Sequence, residues 1–161
     1  MRSYQVLGSL SPERAAEVMR TLKEAAPGMF AQALAAAATA FKARPVYFAR
    51  QPLEKQAAAI RSALARVTAN PVAEELLAVY FLECKKELLV EWLDSLEIKH
   101  EDGTLEEDSP PQPPKAKLAK AVKAFRKQDD GADRELLLAA FAAQSAIDWP
   151  DLEALVGAGP Q

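Results

Sequence analysis

The chain has 161 residues, half of them hydrophobic, a formal net charge of −3 and a single cysteine, which is material for one domain, or a domain with a small appendage, around a core of its own. A lone cysteine excludes an internal disulfide and a cysteine-based zinc site, and a slight acidic surplus disfavours nucleic acid as partner, since that affinity rests on an excess of Lys and Arg. No continuous apolar stretch follows Met1 and Arg2, and the longest apolar run, Leu136 to Ala143, falls far short of the roughly 18 residues that span a bilayer; the chain therefore reads as soluble, cytoplasmic and without a transmembrane segment.

Helix signals begin at Ser11, which can cap, with Pro12 at the first helical position; the run carries Ala15, Val18, Met19, Leu22 and Ala26 on one face and stops at Pro27–Gly28. Met29 to Ala43 places Phe30, Leu34, Ala37 and Phe41 at helical spacing among alanines, which allow a neighbouring helix to approach closely. After the aromatic connector "VYFARQ", Pro52 reopens a helix with Leu53, Ala57, Ile60, Leu64 and Val67 on one face.

From Asn70, expected as a cap, to Ile98 runs the clearest element. Leu77, Phe81, Cys84, Leu88 and Trp92 form one stripe with Leu82, Leu89, Leu93 and Leu96 beside it. An apolar arc of more than half the circumference predicts a central helix packed on at least two sides, with Glu83, Glu87, Glu91 and Asp94 along its polar strip. Asp102–Gly103 then permits a small two-stranded hairpin, and the prolines of "EEDSPPQPP" predict an extended connector. Lys115 to Lys127 reads as an amphipathic helix with Leu118, Val122 and Phe125 inward. Asp133 is the expected cap of the next, through Leu137, Ala140, Phe141 and Ile147, and "PDLEALV" forms a last short helix.

The expected fold is all-α: an irregular bundle of six or seven helices around one long central helix at about 71–96, with a small β-hairpin near 98–105. Residues 1–108 are the expected main bundle, 109–114 a proline-rich connector, and 115–161 a C-terminal helical extension packing on that bundle.

Chemistry is harder to find. Phosphate-loop, dinucleotide and nucleophile-elbow patterns are missing from the sequence. The one histidine, His100, stands beside Glu101 and Asp102, where a carboxylate could orient the ring as a general base; a solvated turn in an acidic loop is the plainer reading. Cys84 falls within the apolar stripe, so it reads as core rather than nucleophile. The carboxylate strip lacks the Glu-x-x-His pairs of helical di-metal sites, and "DDGADRE" does not follow the calcium-loop spacing. No catalytic residue, metal site or cofactor is expected.

Charge is segregated along the chain: +1 over residues 1–41, +5 over 42–69, −9 over 70–108, +6 over 109–128 and −6 over 129–161. The segment "KAKLAKAVKAFRK" puts Lys115, Lys117, Lys120, Lys123, Arg126 and Lys127 on one helix without an acid. The acids Glu101, Asp102, Glu106, Glu107 and Asp108 lie close enough to compensate it within a Debye length of ~8 Å. These features favour a non-catalytic helical protein–protein interaction module, an adaptor or small scaffold with an unknown protein partner or a homodimer. Its partner-binding candidates are Tyr47, Phe48, Lys117, Lys120, Lys123 and Trp149. The alternatives are a helical-bundle enzyme or small-ligand-binding protein using His100 and Glu101, and a basic-helix binder of nucleic acid or anionic lipid.

Overall fold

Ser11 accepts a hydrogen bond from the Arg14 N–H at 3.1 Å and Pro12 takes the first turn, so α2 (Pro12–Ala25) starts where these residues relieve the unpaired donors of a helix end. Around it the computed structural model describes residues 1–158, with ten α-helices and one two-stranded sheet among them. The fold is thus the expected all-α one, hairpin included. Residues 159–161 of the expected extension lie outside the described residues.

The chain gathers into two compact units, Arg2–Cys84 and the residues from Lys85 on. In the first, α2, α3 (Pro27–Ala40) and α5 (Leu53–Leu64) pack on one another, burying Val18, Met19, Leu22, Ala33, Ala37, Ile60 and Leu64. Alanines at Ala33, Ala37 and Ala38 bring the backbones of α3 and its neighbours close, as the sequence suggests. A short α1 (Ser3–Gly8) and an even shorter α4 (Pro45–Ala49), neither expected, complete this unit with a 3₁₀ turn at Val67–Ala69 and α6 (Asn70–Val79). Asn70 does not cap: it is buried, and its Oδ1 accepts the Tyr4 N–H at 3.1 Å, tying α1 to the start of α6.

The long rod expected over 71–96 is interrupted. A π-helical turn, Tyr80–Cys84, follows α6, and Lys85, at φ −132° and ψ 41°, leaves the helical region before α7 (Lys86–Ser95) begins. No proline or glycine lies between Val72 and Leu96, and the apolar residues stay in helical phase across the break, so propensity gives no warning of it. Wide π turns of this kind are set by side-chain packing, and here consecutive Tyr80 and Phe81 are both buried, ring against ring at 5.0 Å. The break also leaves Cys84 half-buried rather than within the core.

In the second unit, Trp92 of α7 is fully buried against Phe125 of α8 (Lys115–Arg126) at 5.2 Å and Phe141 of α9 (Gly131–Ala143) at 5.9 Å. Phe141 in turn meets Trp149, which precedes α10 (Pro150–Gly157), at 5.3 Å. Asp130, not Asp133, stands at the N-cap of α9; Asp133 lies in its first turn and pairs with Lys85 at 3.3 Å. The proline stretch expected as a connector between domains lies inside this unit. The Pro110 carbonyl accepts the Trp149 indole N–H at 2.9 Å, and Gln112 exchanges two hydrogen bonds with Asp151, at 2.7 and 3.1 Å. It is a strap fastened to the start of α10.

Between α7 and the strap, β1 (His100–Glu101) pairs antiparallel with β2 (Thr104–Leu105), His100 opposite Leu105. Asp102 at φ 56° and Gly103 at φ 94° form the two-residue loop, the left-handed pair that a hairpin of this length demands. No helix among the described residues is long and apolar enough to cross a membrane.

Candidate functional site

Helices α3 and α5 both end earlier than their apolar stripes. The chain leaves α3 through Lys42 at φ 53°, with the Lys42 N–H donating to the Thr39 carbonyl at 3.2 Å and the Ala43 N–H to the Ala38 carbonyl at 2.9 Å. This is a Schellman exit with lysine where glycine is preferred. Phe41, the last residue before this exit, is 42% exposed; Val67, beyond the end of α5, is 62% exposed. Both were expected inward.

Pro45 then starts α4, which lies against the end of α3 and the start of α5. Phe48 anchors it, buried, while Gln56 of α5 donates its amide to the Phe48 carbonyl at 3.0 Å. The rings of Phe41 and Tyr47 both rest on Phe48, at 6.1 and 5.2 Å. Val46 and Tyr47 consequently face outward, more than half exposed, and with Ala43, Arg44, Arg50 and Gln51 they line an open pocket of about 480 Å³. Of the five large hydrophobic residues exposed among those described, Val46 and Tyr47 line this pocket and Phe41 shares the Phe48 ring with Tyr47. Single exposed apolar residues are ordinary; a contiguous cluster is not.

The rim is cationic. Lys42, Arg44, Arg50 and Arg66 are all exposed, and none forms an ion pair among the described residues. Arg66 instead lies over the Phe41 ring at 5.3 Å. The one acid between residues 42 and 69, Glu54, points to Arg20 at 3.7 Å.

The chain matches no family model, no curated protein and no solved structure.

The other sequence candidates are placed differently. Trp149 is 2% exposed and Phe48 is 8% exposed; both are core residues, and neither can anchor a partner on the surface. On α8, Lys117 pairs with Glu97 at 2.8 Å, and its hydrogen bond holds the Glu97 carboxyl below the usual glutamate range. Arg126 forks onto Glu135 at 2.6 and 3.3 Å and reaches the Leu155 carbonyl at 3.4 Å. Neither acid belongs to the 101–108 run expected to compensate this helix; Asp102 of that run pairs with Lys86 at 3.2 Å. Lys120 and Lys123 are exposed on the side of α8 opposite Leu118, Val122 and Phe125, an arrangement any solvated amphipathic helix shows.

The carboxylate strip of the expected rod is divided among separate partners: Glu91 joins Arg134 at 2.7 Å and Asp94 joins His100 at 2.7 Å. No group of three or more His, Cys, Asp or Glu side chains that could hold a metal ion occurs among the described residues. His100 has both ring nitrogens engaged. The Gly103 N–H donates to Nδ1 at 3.1 Å, which fixes the lone pair there and leaves the hydrogen of Nε2 for Asp94. A ring so held pins the hairpin to α7 and has no nitrogen free to take a proton from a substrate. Glu101 and Asp102 extend away from it, exposed. Replacing His100 by Ala should cost about 1–2 kcal/mol in urea denaturation and speed amide exchange at Gly103.

Tyr47 was legible as a candidate from its connector. Val46, Arg44 and Arg50 were not, although the +5 balance of residues 42–69 was the signal that could have drawn attention to them.

Proposed function

We propose that the protein is a non-catalytic helical interaction module of the cytoplasm, an adaptor or small scaffold that engages another protein through the corner built by α4. The observation that carries this reading is the outward pairing of Val46 and Tyr47 beside Phe41, on a helix fixed from beneath by Phe48 and Gln56. An apolar cluster on a rigid support, with a polar rim, is the pattern of a binding hot spot. The rigid backing matters because a partner then meets side chains whose positions are already set, and little ordering free energy is lost on docking.

Capture from native lysate tests it, comparing the wild-type chain with a Val46→Asp/Tyr47→Ser variant and a Lys120→Gln/Lys123→Gln variant. Since Val46 and Tyr47 are exposed, the first variant should keep its stability to within about 0.5 kcal/mol while losing a reproducible protein partner. The lysine variant should retain it. Equal capture by all three chains would refute the assignment to α4, and light scattering on the pure protein separates a foreign partner from a homodimer.

A further inference from the structure

The cations around α4 say what chemistry the partner must bring. Resting on the interaction reading above, we propose that the α4 pocket takes an acidic segment of a partner protein, one apolar side chain seated against Val46 and Tyr47 and flanking carboxylates on Arg44 and Arg50. Both arginines line the same pocket as those apolar residues, and both are without a carboxylate partner among the described residues. Three other cations do have acid partners, Lys86 on Asp102, Lys117 on Glu97 and Arg126 on Glu135, while Lys120 and Lys123 are exposed without an ion pair among the described residues but have no exposed hydrocarbon beside them. The α4 rim is where exposed arginines flank exposed hydrocarbon, and the one acid in the same stretch of chain, Glu54, is paired with Arg20. Guanidinium groups present a planar fork that fits a carboxylate in two parallel hydrogen bonds. The apolar anchor supplies most of the affinity, and the charges supply orientation, rate of encounter and selection against basic segments.

Shape and total charge favour a peptide over the other anions. A bilayer surface is met by an amphipathic face several turns long, whereas α4 has five residues, too few to present such a face. A nucleic acid would extend beyond the rim of a chain whose overall charge is −3, and long polyanions are repelled by such a surface where a short segment is not.

Fluorescence anisotropy on the full chain decides, with a labelled synthetic peptide of Glu and Asp residues flanking a central Leu–Phe pair as probe. Saturable binding is expected, weakened at least about tenfold by Arg44→Glu/Arg50→Glu, by Val46→Asp, or by replacing the central pair of the peptide with Gly–Ser, and weakened several-fold on raising salt to physiological strength. Circular dichroism confirms that each variant remains folded. Absence of peptide binding, or equal affinity in the variants, overturns the proposal. So does patch-dependent retention on phosphatidylserine vesicles or on single-stranded oligonucleotide with none on the peptide. A mass that rises with concentration and falls back in Arg44→Glu would make the occupant the acidic run of a second copy and overturn a foreign partner. If Val46→Asp/Tyr47→Ser abolishes capture from lysate while the acidic peptide fails to bind, the interaction reading stands and the acidic partner falls.

Discussion

Trp92→Ala should lower the stability of the second unit by about 3–5 kcal/mol, the range for deleting a large aromatic side chain from a close-packed core. Trp92 is fully buried and is the residue through which α7 meets both Phe125 and Phe141. Its removal leaves two rings of the chain Phe125–Trp92–Phe141–Trp149 without their shared neighbour, and the α-helical backbone cannot collapse far enough to fill the space. A typical domain is stable by about 5–15 kcal/mol in total, so the loss is a large fraction. The protein has two tryptophans, both in this unit, and in the variant the emission of Trp149 alone follows its unfolding in urea. Trp92→Phe provides the internal control. The indole N–H of Trp92 is buried with no hydrogen-bond acceptor among the protein atoms, and such a donor costs about 1–3 kcal/mol. Phenylalanine keeps one ring of contact and removes that donor, so its cost should be less than half that of alanine. An alanine variant within 1 kcal/mol of wild type would contradict the placement of Trp92 at the centre of this core.

The parts of this architecture that were legible in the sequence are those written in local chemistry. Ser11 and Pro12 start α2, Asp102–Gly103 turns the hairpin, and Leu118, Val122 and Phe125 mark the buried face of α8. What was not legible depends on contacts between residues distant in the chain. Lys85 leaves the helix without a proline or glycine to announce it, and Lys42 and Glu97 take left-handed conformations that glycine usually signals. Both stand just past a helix C-cap, Lys42 after Phe41 and Glu97 after Leu96. The turn at Lys42 leads out of α3 into the α4 corner. The candidate site thus arises where the local pattern fails, and Phe48, an aromatic of the same connector, proves to be its support. Trp149 misled for the opposite reason: between Asp148 and Pro150 it looks like a loop residue, yet its indole is drawn inward by the Pro110 carbonyl.

Arg134→Ala should destabilise the second unit by about 2–3 kcal/mol at neutral pH, with the difference from wild type narrowing in acid. The guanidinium is 8% exposed and has four attachments. It binds Asp130 at 2.6 Å, Glu91 at 2.7 Å and the Phe125 carbonyl at 3.3 Å, and it lies 4.5 Å from the centre of the Phe125 ring. Breaking a fully buried ion pair costs about 3–5 kcal/mol because the surviving charge is stranded. Here Asp130 and Glu91 are each about half exposed and regain water, which places the expected loss lower; what remains is an unpaired Phe125 carbonyl and the lost stacking. Burial works against the charge on Arg134, and the hydrogen bonds it donates to Asp130 and Glu91 outweigh it, raising its pKa. The same Arg134 hydrogen bond holds the Asp130 carboxyl below its ordinary value of 3.8. A carboxylate lowered on folding contributes stability above its unfolded pKa and loses it as pH falls through the folded one. Wild type should therefore weaken below about pH 4 in a way that Arg134→Ala does not, and the gap in stability between the two proteins should be smaller in acid than at neutral pH. Arg134→Lys should recover little, since an ammonium cannot reach both acids and cover the ring together. Parallel pH dependence in wild type and the alanine variant would show that Asp130 draws its ionisation from another source.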